Sequence, residues 1–306
     1  MRTHFPDMAD TRVEWPTLVL LALTYAVWAL GTVWAAALWL PLGIVLTGLA
    51  IAQHSSLCHE ALHGHPVRSR LWNEALVFPS LCLLIPYGRF RDTHLAHHRE
   101  EILTDPYDDP ESNYLDPARW ARLPRWARAV LWANNTLLGR MVLGPFVAQV
   151  AFLRADWLAI QAGDRDALRA WLWHVPAVAL VLGWVALAPM PLWAYLVSVW
   201  LGLGLLKIRT FLEHRAHVRA SGRTVIIEDR GPLALLFLNN NLHVVHHMHP
   251  DVPWYRLPAL YAARRAHYLS RNGGYRYRSY AEVIRAHFLR AKDPVPHPLW
   301  NGDGRS

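Results

Sequence analysis

Three short histidine clusters contain the residues best suited to do chemistry in this sequence. They read HEALH at 59–63, HLAHH at 94–98 and HVVHH at 243–247. Residues three or four positions apart lie on one face of a helix, so each cluster can direct its imidazoles to one side. Imidazole is the commonest metal-binding side chain. The spacing therefore predicts eight converging ligands, which are His59, His63, His94, His97, His98, His243, His246 and His247.

The first cluster also fits a different metal chemistry. H-E-x-x-H on a helix is the zinc motif of metalloproteases, in which the glutamate, here Glu60, is the general base. A catalytic zinc takes three protein ligands, so five of the eight histidines would have no role. An intramembrane protease would also need an aspartate within another span, and the last two apolar segments contain none. We therefore favour a cage for two metal ions, with iron as the redox-active choice, and keep the zinc protease as the alternative.

The elements that must position these histidines are predicted to be membrane-spanning helices. Hydrophobic residues make up 53% of the chain and charged residues only 18%, with 16 tryptophans, which is typical of integral membrane proteins. A helix needs about 20 apolar residues to cross the hydrocarbon core. Four segments meet this requirement, at about 17–40, 41–62, 168–188 and 190–212. We expect an all-α integral membrane protein with four spans in two hairpins.

The charge distribution predicts the orientation of these hairpins. The tight turns between paired spans lie on one side, which puts the connector at about 64–166 and the tail at 213–306 on the other. These long segments hold nearly all the arginines and produce most of the formal charge of +8. By the positive-inside rule their side is cytoplasmic. The prediction is one domain over 1–306, with a cytoplasmic helical cap that holds the metals. The composition suggests a bacterial inner membrane and no nucleic-acid partner.

Two parts of the connector are apolar without being clear spans. Leu71 to Tyr87 includes Asn73, Glu74 and two prolines, so we expect a re-entrant or interfacial element. Ala129 to Trp157 mixes apolar residues with arginines and asparagines. It predicts amphipathic helices that lie on the membrane face, with buried helices of the cap as the alternative.

The three clusters, in this order and around two membrane hairpins, resemble the membrane fatty acid desaturase and hydroxylase superfamily. The segments PYGRFRDTHLAHH and NNNLHVVHHMHPDVPWYRLP are similar to those of bacterial acyl-lipid desaturases. The resemblance implies two iron ions that use O2 to oxidise an unactivated C–H bond of a lipid acyl chain. Because the chain contains no carrier motif, it implies a separate electron donor such as a ferredoxin or cytochrome with its reductase. Desaturation is the favoured reaction, and hydroxylation or carotenoid ketolation remain alternatives.

The family also implies a ninth imidazole at the end of the last span. His214 is the match, in preference to His217, because it continues directly from the apolar segment. Acyl-CoA members carry an asparagine one turn earlier that contacts the metal through water, and here that position is Thr210. Asn240 or Asn241 could replace it, with helix capping as the simpler role for both.

Several further residues are candidates for supporting roles. Glu60, Asn241 and His249 could orient imidazoles through hydrogen bonds. The acidic loop from Asp105 to Glu111 could do the same for His98 or its neighbours, although its Asp-Pro pairs are also typical of turns. Arg89 and Arg91 could hold an acyl carboxylate or dock an acidic electron donor, with anchoring beside anionic lipid as the alternative.

Overall fold

A computed structural model describes residues 13–300 of the chain, so residues 1–12 and 301–306 of the predicted single domain lie outside the described part. The described chain is predominantly helical. Its helices are α1 (Trp15–Leu38), α2 (Leu40–Leu62), α3 (Arg70–Leu76), α4 (Tyr87–His97), α5 (Pro117–Arg122), α6 (Arg125–Ala133), α7 (Leu137–Val142), α8 (Gly144–Gln161), α9 (Arg165–Leu187), α10 (Leu192–Thr210), α11 (Pro232–Leu236), α12 (His243–Met248), α13 (Leu257–Ala263), α14 (Arg265–Arg271) and α15 (Tyr280–His287). Strands β1 (Ile226–Ile227) and β2 (Arg276–Tyr277) pair in parallel.

Four of these helices are long and apolar enough to cross a membrane, namely α1, α2, α9 and α10. The prediction of an all-α membrane protein with four spans in two hairpins is therefore confirmed. The largest difference in bounds is at α9, which begins at Arg165 because the side chain of Asp164 accepts the backbone N–H groups of Asp166 and Ala167. Helix α2 ends at Leu62 and α10 ends at Thr210 on the same face of the protein. We call this face the histidine side.

Spans α2 and α10 pack against each other through glycine. A Cβ on Gly202 would lie 2.8 Å from the carbonyl oxygen of Gly48, and a Cβ on Gly48 would lie 2.9 Å from the side chain of Leu201. Small residues let membrane helices approach closely where no hydrophobic force separates protein from lipid. Because both helices run toward the histidine side, this contact brings the first histidine cluster next to the end of α10.

The segment between α3 and α4 enters the membrane and returns. The carbonyl oxygen of Leu81 accepts the Tyr195 hydroxyl at 2.7 Å, and that of Leu83 is 3.1 Å from Nε2 of His174. Tyr195 is in the first turn of α10, about 22 Å from the histidine end at 1.5 Å per residue. Irregular backbone at this depth must have protein partners, which Tyr195 and His174 provide. The expected re-entrant element at 71–87 agrees with this arrangement.

The amphipathic segment at 129–157 reaches deeper than the membrane face on which it was predicted to lie. The carbonyl oxygen of Val142 accepts Nε1 of Trp200, which lies halfway along α10. Helix α8 then returns to the histidine side and exposes the apolar stripe Phe146, Val150, Leu153 and Trp157. The turn can enter because the Trp200 indole satisfies a carbonyl that lipid would leave unpaired.

The tail folds over the histidine side and supports the third cluster. Helix α12 has only six residues, too few to be stable alone. Its Val244 and Val245 belong to one buried apolar cluster with Ile226 of β1 and with Leu257 and Leu260 of α13. This packing sets the direction in which the histidines of α12 point.

Candidate metal centre

The structure brings all nine predicted histidines together on the histidine side, in two groups. One group has five members, His59, His63, His94, His98 and His246; the other has four, His97, His214, His243 and His247. Within each group the candidate ligand atoms all lie within 4.8 Å of one another. The second and third clusters each contribute to both groups, so the two groups share the helices α4 and α12.

The atoms that converge are the Nε2 nitrogens. Nε2 of His214 lies 2.9 Å from that of His97 and 3.1 Å from that of His243. In the other group, Nε2 of His98 lies 2.9 Å from that of His94 and 3.2 Å from that of His246. The Nε2 atoms of His59 and His63 are buried without a hydrogen-bond partner among the described residues. These nitrogens therefore surround two small volumes, and each nitrogen needs a hydrogen-bond partner or a metal ion there.

The outward-facing nitrogens decide which tautomer three of the rings adopt. Nδ1 of His94 lies 2.9 Å from Oε1 of Glu111, and Nδ1 of His97 lies 2.7 Å from Oδ1 of Asp109. Nδ1 of His243 lies 3.0 Å from Oδ1 of Asn240. Since these oxygens accept, the rings donate through Nδ1–H, and each neutral ring turns an Nε2 lone pair inward. A single Nε2–H on His214 can satisfy only one of the lone pairs of His97 and His243, whereas a cation can accept both, so the geometry favours bound metal.

The local charges differ between the neighbouring rings of His98 and His97. Burial and the neighbouring His94 and His97 lower the pKa of His98 to about 3, so this ring is neutral near pH 7. Burial also opposes a charge on His97, but the carboxylates of Glu111 and Asp109 outweigh it and raise the pKa of His97 to about 9. Despite its own burial, the pKa of Glu111 is lowered by His97 and His94. His97 thus attracts positive charge, either a proton or a metal ion. Burial and neighbouring rings instead lower the pKa of the other three members of its group, His214, His243 and His247.

His214 and His217 have different contacts in the structure. His214 belongs to the four-histidine group, and its Nδ1 lies 3.4 Å from the hydroxyl of Thr224, a partner that no sequence signal indicated. His217 instead contacts the backbone of Arg219. Thr210 and Glu213 line a cavity of about 30 Å³ beside His214, which has room for one water molecule. A water bridge at Thr210 stays a prediction.

The candidate supporting residues are placed differently from their predicted roles. Glu60 lies 4.0 Å from Nδ1 of His59, too far for a hydrogen bond, and instead accepts the backbone N–H of Trp254. Asn241 donates to the carbonyl oxygens of Ile227 and Asp229, so its neighbour Asn240 contacts the histidine. Neither asparagine caps α12, whose preceding residue Leu242 makes no side-chain cap. His249 packs edge-on against Tyr268, outside both groups.

Arg89 and Arg91 are held in ion pairs within the protein. Arg89 contacts both oxygens of Asp156 at 2.9 and 3.0 Å, and Asp156 is 2% exposed. Arg91 pairs with Glu74 and Asp92. These pairs leave the two guanidinium groups less suited to hold a substrate or a donor than the sequence indicated.

The donor set fits a pair of irons better than a protease zinc. Imidazole suits iron, zinc and copper alike, but zinc sites have four ligands and one group here contains five imidazoles. The carboxylate of Glu60, which would serve as general base in a protease, faces the Trp254 backbone. An imidazole that binds metal through one nitrogen usually donates the N–H of its other nitrogen to a carboxylate or amide oxygen. His94, His97 and His243 have such acceptors.

Fold and site together define an integral membrane protein with a histidine-rich candidate metal centre on one face. The fatty acid desaturase family matches residues 32–280, and the chain belongs to this family. A beta-carotene ketolase from Paracoccus sp. (strain N81106 / MBIC 01143) is 29% identical over 213 residues, which cover 66% of this chain and 71% of the ketolase. Family and relative both support an oxidoreductase with the oxygenase-type chemistry of this superfamily.

Proposed function

We propose that this protein uses two irons and O2 to oxidise an unactivated C–H bond of a membrane lipid. The observation that carries the proposal is the convergence of nine imidazoles in two groups at the histidine side, with the candidate ligand atoms of each group within 4.8 Å of one another. The ligands of one iron would be His59, His63, His94, His98 and His246, and those of the other His97, His214, His243 and His247. A separate carrier such as a ferredoxin or cytochrome would supply electrons, and the centre would face the cytoplasm of a bacterial inner membrane.

The protein's own residues have defined tasks in this proposal. When bound, the irons supply the activation of O2. Asp109, Glu111 and Asn240 hold the rings so that their lone pairs point inward. The tail covers the site at the ends of the spans and so limits the access of water. An apolar substrate can approach from the bilayer because the centre lies at the ends of α2 and α10.

Two reactions fit this site, and a separate observation supports each. Membership of the fatty acid desaturase family supports desaturation of an acyl chain, which we place first. The ketolase relative, together with the HHMHPDVPW segment after α12 begins, supports oxygenation of a carotenoid. Both reactions would remove hydrogen from a carbon of an apolar chain or ring at the same centre, so they differ in product.

Lipid mass spectrometry of an expressing host tests the reaction. We expect acyl chains that have lost two hydrogens when the chain is expressed with an electron donor, and no such product with His98→Ala. Gain of one oxygen on an acyl chain would indicate hydroxylation, and a keto product in a carotenoid-producing host would indicate ketolation. If a preparation that contains iron yields none of these products, the proposed function is wrong.

Iron content tests the centre independently of the reaction. The purified protein should contain about two irons per chain, and His214→Ala should contain less because it removes one ligand of four. His217→Ala is the matched control, since this ring lies outside both groups. One zinc per chain, with peptide cleavage, would support the protease alternative instead.

A further inference from the structure

A second cavity, separate from the histidine centre, lies beside the third histidine cluster. It has a volume of about 330 Å³ and is lined by Glu228, Asp229, Arg230, Asn239, Leu242, Pro258, Tyr261, Ala262 and Arg265. Small-molecule sites occupy roughly 300 to 1,000 Å³, so the cavity can hold a small polar group. We call it the tail pocket.

The tail pocket lies at the level where the spans leave the membrane. Asn239 donates to the carbonyl oxygen of Trp254, whose Nε1 donates to Thr17 in the first turn of α1. On the other wall, Arg230 lies two residues before α11, and the carbonyl of Leu236 at the end of α11 accepts the hydroxyl of Ser56 within α2. Leu235 of α11 is 50% exposed. Two independent contacts therefore place the pocket at the depth of lipid headgroups.

The lining combines charges of both signs. Glu228 accepts hydrogen bonds from Arg265, Arg276 and Tyr261, so that carboxylate and Arg265 are already paired. Asp229 accepts the backbone N–H groups of Gly231 and Tyr280 and keeps lone pairs for another donor. Arg230 is exposed and pairs with no carboxylate in the described range 13–300. Because Arg230 and Asp229 are neighbours in the chain, a ligand can place an anionic group on Arg230 and a cationic group on Asp229.

We propose that the tail pocket binds the headgroup of a zwitterionic phospholipid, with its phosphate on Arg230 and its ammonium toward Asp229. Leu242, Pro258 and Ala262 provide an apolar wall for the glycerol end. Leu242 directly precedes His243, whose Nε2 faces the four-histidine group. A headgroup fixed there holds its acyl chain at a set distance from the centre. This role in positioning rests on the proposed function, whereas headgroup binding itself does not.

Retention of lipid by the purified full chain tests the binding. Wild type and variants would be incubated in vesicles of equal phosphatidylethanolamine and phosphatidylglycerol, extracted in detergent and analysed by mass spectrometry. Ala262→Trp fills the pocket from an exposed helix position, and Ala263→Trp, exposed on the same helix and outside the lining, is its control. We expect wild type and Ala263→Trp to retain phosphatidylethanolamine and Ala262→Trp to lose it. Arg230→Gln should retain about tenfold less, as expected for one charge-assisted hydrogen bond.

The possible results are distinguishable. Equal retention by the two tryptophan variants, or preference for phosphatidylglycerol in all of them, would overturn the proposal. Release of the bound lipid by millimolar inorganic phosphate would mean that a soluble anion is the ligand and would also overturn it. If retention depends on Ala262 but wild type makes no oxidised lipid, the headgroup site stands and the proposed function fails. If wild type is active and retention does not depend on Ala262, the proposed function stands and the headgroup site is wrong.

Discussion

At the scale of single residues, the acceptors outside the centre matter as much as the histidines. His94 and His97 donate through Nδ1 to Glu111 and Asp109 of one acidic loop, and His243 donates to Asn240, so these three acceptors set the inward direction of Nε2. Asp109 is the most buried of the two acidic acceptors, at 5% exposure, and also accepts the backbone N–H of Thr104.

Asp109→Ala should therefore weaken iron binding by about 10- to 100-fold, the usual cost of losing a residue that orients a metal-binding imidazole. The measurement is iron retained per chain in competition with a chelator. Asp108→Ala is the matched control, because Asp108 is its exposed neighbour on the same acidic loop. Equal iron retention in the two variants would show that Asp109 does not position His97.

At the scale of helices, one buried ion pair joins the second cluster to the membrane. Arg89 of α4 pairs with Asp156 of α8, and Asp156 also accepts Nε1 of Trp171 in α9. This contact orients the helix that carries His94, His97 and His98.

Loss of one partner of a buried ion pair leaves an uncompensated charge and costs about 3–5 kcal/mol. We expect Asp156→Ala to reduce the free energy of unfolding in mixed micelles by this amount. Glu74→Ala breaks the more exposed pair with Arg91 and should cost no more than about 1 kcal/mol. The double variant Arg89→Met, Asp156→Leu should recover much of the loss; if it is as unstable as Asp156→Ala, the charge is not the cause.

The close approach of α2 and α10 makes a second prediction about helices. Gly202→Ala places a methyl group 2.8 Å from the carbonyl of Gly48, so the spans must separate, at a cost of about 1–3 kcal/mol. Gly183→Ala is the control, because a Cβ there has no neighbour within 4 Å. Unfolding in mixed micelles compares the two, and iron content should also fall in Gly202→Ala alone. Equal stability would mean that the spans adjust without strain.

At the scale of the whole molecule, the even number of spans puts both hairpin turns on one face and the histidine centre on the other. We expect the centre to face the cytoplasm. Pro189→Cys, in the exposed turn between α9 and α10, should react with a membrane-impermeant maleimide in intact cells. Arg122→Cys, exposed on α5, should react only after the membrane is opened. Labelling of the unaltered chain gives the background from Cys58 and Cys82, and the opposite pattern would place the centre outside.

Much of the architecture follows from local sequence pattern. The four spans are visible because a helix in lipid needs a continuous apolar run, and their ends fall within three residues of the predicted ones. Eight of the nine histidines follow from helical spacing, whereas His214 is indicated by the family resemblance, which places a ninth imidazole at the end of the last span. Both signals depend on neighbours along the chain, so no long-range contact is needed to detect them.

Only the tertiary structure decided how these residues are shared and supported. The division into five and four splits the second and third clusters, which spacing alone treats as units. Asn240 rather than Asn241 meets a ring, because Asn241 donates to the carbonyl oxygens of Ile227 and Asp229. Arg89 pairs with Asp156, 67 positions away. Such partners are chosen by the packing of helices distant in sequence, which local periodicity does not encode.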